Sequence, residues 1–251
     1  AGARKRARQH GYQLEEFLLG SKNMTSERMR NILLARGITG VLVAPQPRGV
    51  TDGKIAMDWS PFAALTFGYS LTWPALHLVT SHHGNAARLA VQKLAALGYR
   101  RIGLHVDRIS NARAAGGWVG GYAGEVWRNR DLAWFEPFPH DTNDIDQFLR
   151  WARAQRLDAV ITWSEFIDRV RESGRIRVPE DLGMVSLRVR PENEHHTGIN
   201  QNEHEIGAVA VDTLVGLLGT NVRGIPDNRR CILIDGVWNE GATTRVIAKT
   251  R

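Results

Sequence analysis

Two pairs of adjacent histidines stand out among the side chains able to do chemistry: His82-His83 and His195-His196. Imidazoles hold transition metals, but adjacent residues of a strand point to opposite faces. No cysteine or further histidine stands at a recognisable ligand spacing from either pair, so no metal site is expected. "GGWVGG", Gly116 to Gly121, offers the glycines of a phosphate cradle. It lacks the Lys-Ser/Thr that completes a P-loop and the spacing of a dinucleotide fingerprint. A glycine-rich helix packed closely on a neighbour is the simpler reading. Glu15 and Glu16 are paired carboxylates, yet in an extended segment they face apart. No Gly-x-Ser-x-Gly elbow and no Cys-His arrangement stands out. The expectation is a non-enzyme with no catalytic residue and no cofactor.

The chain has 251 residues, 43% hydrophobic and 24% charged, enough for a packed core in one large domain or two lobes. No apolar run approaches the ~20 residues of a membrane-spanning helix, so no membrane partner is expected. The single cysteine, Cys231, excludes an internal disulfide framework and favours a reducing, cytoplasmic setting. Cys231 itself reads as an ordinary strand residue. The net charge is +7, and the 33 basic residues are 28 Arg and 5 Lys. They are scattered rather than gathered into a tail, which is weak support for nucleic-acid binding. The opening residues lack the apolar stretch of a signal peptide. They read as a helix without a start signal, so a strand and a whole domain are expected to precede Ala1.

Helix and strand patterns alternate along the chain. Residues 3–10 read as helix and 12–18 as extended. Residues 26–36 read as helix and 38–44 as a strand buried on both faces. Short strands follow at 62–67 and 76–80. An amphipathic helix at 85–97 stops at Gly98, and a strand at 101–106 begins almost at once. Then come a helix at 112–128, a weak strand at 135–138, a helix at 144–154 and a strand at 158–163. A helix at 165–173, a turn and strand at 178–187, a long helix at 202–218 and a strand at 231–234 complete the chain. Repeated strand–helix units imply parallel sheets with helices on both faces. The strands are too many for one sheet, so two doubly wound α/β lobes are expected. Ligands of such folds bind outside the carboxyl ends of the strands.

Several stretches carry a resemblance: "AARLAVQKLAALGYRRIGLHV", "LDAVITWSEF", "ESGRIRVPEDLGMVSL" and "TGINQNEHEIGAVAVDTLVGLL". The last has Gln201, Ile206-Gly207 and Ala210-Val211 at telling spacings. Together they span most of Ala86 to Leu218, in an order that resembles the effector domain of the LacI/GalR family of bacterial transcriptional repressors. "GARKRARQHGYQLEEF" is similar to that family's first effector-domain helix and second strand. The resemblance implies a two-lobed, periplasmic-binding-protein-like type I fold with a hinge. On it, residues 1–107 rejoined by 203–234 form one lobe, and 108–202 rejoined by 235–251 the other. It also implies a helix-turn-helix domain of about sixty residues ahead of this chain, homodimerisation, and operator DNA as partner.

The resemblance implies site residues as well. Family members hold a sugar or purine between the lobes. Arg113 stands where an arginine commonly grips the ligand, its guanidinium a planar fork of donors; alternatively it is a surface arginine at a helix start. Ser164 and Glu165 stand where an Asn-Asp pair is usual. Trp163, just before them, either stacks on a sugar ring or packs in the core. Arg188 replaces the carboxylate that commonly ends its strand, exchanging an acceptor for an obligate donor. Asn85 stands in place of a frequent aspartate. Gln201 either binds ligand or fixes the hinge. The replacements suggest an acidic effector, such as a uronate or sugar phosphate, or a degenerate cleft with no ligand. The expected function is thus the effector-binding and dimerisation domain of a transcriptional regulator. The alternatives are a secreted solute-binding protein of the same fold and, with no motif behind it, an enzyme.

Overall fold

The computed structural model describes residues 2–19, 24–48, 50, 53–138 and 144–247. The chain forms two α/β units, and each is built from separate stretches of sequence. The first comprises the chain up to Ser81 together with Asn202–Ile234. It holds helices α1 (Gly2–Gln9), α2 (Ser26–Ala35) and α8 (Glu203–Gly219), with strands β1 (Gly40–Val43), β2 (Ala63–Phe67), β3 (His77–Ser81) and β8 (Cys231–Ile234). The strands form one parallel sheet in the order β1-β2-β3-β8. Side chains alternate across it, as strand geometry requires. Ala63, Leu65 and Val79 meet Ala210, Leu214 and Leu217 of α8 on one face. Val43, Ala64 and Leu76 meet Trp59 and Leu71 on the other. Thr25 caps α2 by accepting from the Arg28 N–H at 3.1 Å.

The second unit comprises His82–Gln201 and the chain from Asp235 onward. Its helices are α3 (His83–Ala96), α4 (Arg108–Ala112), α5 (Gly117–Arg128), α6 (Ile145–Ala154) and α7 (Ser164–Glu172). Its strands are β4 (Ile102–Leu104), β5 (Ala159–Thr162), β6 (Gly183–Val189), β7 (Gly198–Asn200) and β9 (Val237–Asn239). The sheet order is β4-β5-β6-β7-β9, parallel except for β9, which runs antiparallel at the edge. Ala159, Ile161, Val185 and Leu187 face α3 and α5. Val160 and Met184 face an aromatic core of Phe135, Phe138, Phe148 and Phe166.

The corner between α3 and β4 explains its own sequence. Gly98 stops the helix at φ +100°. Asp158, just before β5, accepts the backbone N–H of Arg100 at 2.8 Å and of Arg101 at 2.9 Å. Arg100 then donates to the Ala95 and Tyr99 carbonyls at the end of α3, each at 2.8 Å. Arg101 donates to the Gln155 carbonyl at 2.8 Å beyond the end of α6. The paired arginines therefore add side-chain donors to carbonyls in and just beyond the ends of two helices. Asp158→Ala is expected to lower stability by about 2 kcal/mol, because it strands two backbone donors that a charged acceptor now holds. Denaturant titration of D158A beside wild type checks this, and an unchanged midpoint would contradict it.

Several expectations from sequence are corrected. The first unit ends at Ser81, not after Asp107, because β4 pairs with β5 and α3 packs on the second sheet. The later crossings fall at Gln201/Asn202 and Ile234/Asp235. Residues 12–18 are extended but belong to no ladder among the described residues. Their carboxylates face outward instead, Glu15 to Arg36 at 2.7 Å and Glu16 to Arg4. The segment at 135–138 is not a strand; it touches β4 through the isolated bond from the Phe138 N–H to the Leu104 carbonyl at 2.9 Å. The helix expected at 112–128 begins only at Gly117; Ala115 and Gly116 take positive φ and separate it from α4, which ends at Ala112. The strands β7 and β9, three residues each, are additions. Cys231 opens β8 and is exposed. No helix among the described residues is long and apolar enough to cross a membrane.

Candidate functional site

In the second unit the parallel strands β4 to β7 end on the same side, and five of the seven sequence-predicted residues lie at those ends. Trp163, Ser164 and Glu165 follow β5. Arg188 lies one residue before the end of β6, and Gln201 directly follows β7. The Ser164 hydroxyl lies 2.7 Å from that of Ser186 and donates to the Arg188 carbonyl at 3.2 Å. Gln201 donates its side-chain amide to the Leu187 carbonyl at 2.7 Å. Both side chains are buried. They fix the geometry of the β6 end through the Ser164 hydroxyl and the Gln201 amide N–H.

Groups of another kind surround them. Arg188 is half-buried, with its guanidinium 3.9 Å from the exposed Glu165 carboxylate. That separation is too long for a hydrogen bond, and such a solvated pair holds little free energy. Trp163 packs edge-on against Trp118 with centroids 5.6 Å apart. Its indole nitrogen is buried and has no hydrogen-bond partner among the described residues. Helix α7 begins immediately after it with no side chain capping its first turn. The first amides of a helix carry partial positive charge and favour anions.

Trp118 continues the aromatic chain to His83 at the start of α3, with centroids 4.6 Å apart. Burial, with a smaller contribution from His82, pushes the His83 imidazole down to about 4. It is therefore neutral near pH 7. Asn85, one turn into α3, donates to Asp235 at 2.7 Å and accepts from Arg88 at 3.0 Å. His82 lies 2.9 Å from the same Asp235 oxygen. The Asp235 carboxyl is held below its usual range, first by the Asn85 hydrogen bond and then by His82 and Arg88. Arg113 caps the end of α4, half-buried, in the segment that follows β4. Asp107 opens α4 by accepting from the Ser110 N–H at 2.7 Å.

Sequence reasoning missed His83, Trp118 and Asp235. Trp118 was hidden inside a glycine-rich run read for its glycines alone, as a closely packed helix rather than a phosphate cradle. Asp235 follows a strand of the other unit, so no local pattern ties it to Asn85. A carboxylate directly after an apolar strand, "CILID", was the available signal.

No family model and no curated relative matches this sequence. Solved structures do match. A regulatory protein of LacI family from Chloroflexus aggregans superposes with a TM-score of 0.69 at 16% identity, over 97% of this chain and 90% of that one. The transcriptional regulator CelR in complex with cellobiose gives 0.66 at 19% identity, over 96% and 76%. The lac repressor dimer bound to operator and the anti-inducer ONPF gives 0.67 at 19% identity, over 97% and 87%. At these identities the likeness establishes the fold. The chain has the periplasmic-binding-protein-like α/β architecture that LacI-type regulators use, in two units with parallel sheets.

Proposed function

We propose that this chain is the effector-binding and dimerisation domain of a LacI-type transcriptional repressor. It binds a small acidic ligand, a uronate or sugar phosphate, at the carboxyl ends of the second sheet. The observation that carries this reading is the setting of Arg188. A guanidinium stands at the end of β6, next to a helix start with no side-chain cap and an indole N–H without a partner among the described residues. These are donors for an anion, and the fold is one that neighbours with bound cellobiose or an anti-inducer also adopt. Arg113 supplies a second donor fork from the loop after β4, and the Trp163 edge meets the sugar. Ser164 and Gln201 hold the strand ends in register, and Asn85 positions Asp235.

Such a domain acts as a homodimer in the cytoplasm. It reaches operator DNA through a helix-turn-helix domain outside this chain, as the dimeric lac repressor bound to operator suggests. Ligand that binds one arrangement of the two units better than another shifts the population and with it operator affinity. Arg188→Gln tests the ligand assignment. The variant is expected to lose about tenfold or more in affinity for an acidic sugar, as befits one charge-assisted contact. Equal affinity in R188Q and wild type, by titration calorimetry, would remove Arg188 from the site.

A further inference from the structure

The pair His195-His196 does not lie in a strand. It occupies the turn between the 3-10 helix Pro191–Asn193 and β7. The reasoning that sends adjacent histidines to opposite faces therefore does not apply. The ring centroids are 4.2 Å apart, and both Nε2 atoms face one oxygen of Asp168 on α7. His196 lies 2.9 Å from it and His195 3.9 Å. The turn is held firmly. Asn239 donates to the Glu194 and His196 carbonyls at 2.8 and 2.7 Å, and the Ala242 N–H donates to the His195 carbonyl at 2.8 Å.

We propose that Asp168, His195 and His196 form a binding site for a divalent first-row transition metal, with Zn²⁺ the best match. Two imidazoles and one carboxylate are a donor set such ions prefer, leaving a fourth position for water or a further ligand. The three donor atoms lie within 4.8 Å of one another. Tetrahedral ligation with bonds of about 2.0 Å sets neighbouring donors about 3.3 Å apart. A modest inward shift closes the set, and the exposed side chain of His195 and the half-buried one of Asp168 lie where they can make it.

A plain ion pair does not explain the cluster as well. His196 is fully buried, and two imidazoles share the one carboxylate oxygen. The His10–Asp212 pair of the first unit lacks both features: it is solvent-accessible and contains a single imidazole. Among the described residues this is the sole group of three such donors. A metal here would tie α7, which opens on Ser164, to the turn that leads through β7 to Gln201.

Zn²⁺ and Co²⁺ are the probes, added to the whole chain after chelator treatment and dialysis. Calorimetry should show one Zn²⁺ per chain, and Co²⁺ should give the visible absorption of a low-coordinate site. His195→Ala alters an exposed partner and Asp168→Asn a half-buried one, and both leave buried His196 in place. Each should weaken Zn²⁺ binding at least about tenfold and abolish the Co²⁺ band. His10→Ala, the control, should change neither. Absence of stoichiometric binding in wild type, or binding that survives both H195A and D168N, would overturn the proposal.

Discussion

Gly121→Ala should lower the stability of the second unit by about 3 kcal/mol, although alanine is the better helix former. A Cβ at this position would sit 2.1 Å from the Gly84 carbonyl oxygen, deep inside contact distance and against backbone. Gly117 also meets Gly84 and His83, so the closest backbone approach of α5 to the start of α3 is made at glycines. No flexible side chain can move aside. Gly120→Ala is the internal control. That position is exposed in the same helix and has nothing within 4 Å. It should gain up to about 1 kcal/mol from helix propensity. Denaturant titrations of the two variants should therefore move in opposite directions. A G121A protein as stable as G120A would mean that the α3–α5 crossing is wrongly described.

The second large effect is acid lability centred on His105. The ring is buried among Phe138, Phe148 and Phe166, whose centroids lie 5.1, 5.6 and 4.2 Å away, and its Nδ1 lies 3.0 Å from the Thr162 hydroxyl. Burial pushes its pKa down to about 4, with Asp107 opposing weakly. The sign follows from linkage. Above pH 6.5 the imidazole is neutral in both folded and unfolded chains and costs nothing. As pH falls from there toward 4, the unfolded chain takes up a proton that the folded chain refuses. Stability is then lost at up to about 1.4 kcal/mol per pH unit, for a total on the order of 3 kcal/mol. His83, also near 4, adds to the fall. His105→Phe removes one such proton and should flatten the dependence between pH 6.5 and 4 accordingly. An unchanged slope in H105F would place the acid sensitivity elsewhere.

Periodicity made much of this architecture legible. The strand at Cys231–Ile234 and the long helix ahead of it are local patterns, and they lie where the alternation of residues puts them. What failed was non-local. Residues 12–18 have strand composition, but a strand needs a ladder partner, and composition does not report one. Residues 82–107 read as a continuation of the first lobe, because nothing local reveals that β4 pairs with β5, more than fifty residues later. For the site, sequence placed Trp163, Ser164, Glu165, Arg188 and Gln201 at strand ends. It could not say that Ser164 and Gln201 bond to backbone while Trp163 keeps a bare N–H. That distinction rests on burial and on β6 register. The assumption that His195-His196 lies in a strand failed for the same reason, since a turn and a strand of equal composition aim adjacent rings differently.

The most direct test is to titrate an acidic sugar and its neutral counterpart, glucuronate and glucose or a sugar phosphate and its parent, into the unmodified chain. The account predicts at least about tenfold tighter binding of the acidic member, weakened by rising salt. Equal or tighter binding of the neutral sugar would contradict it, and Arg188 would then be a strand-end arginine with no ligand to hold.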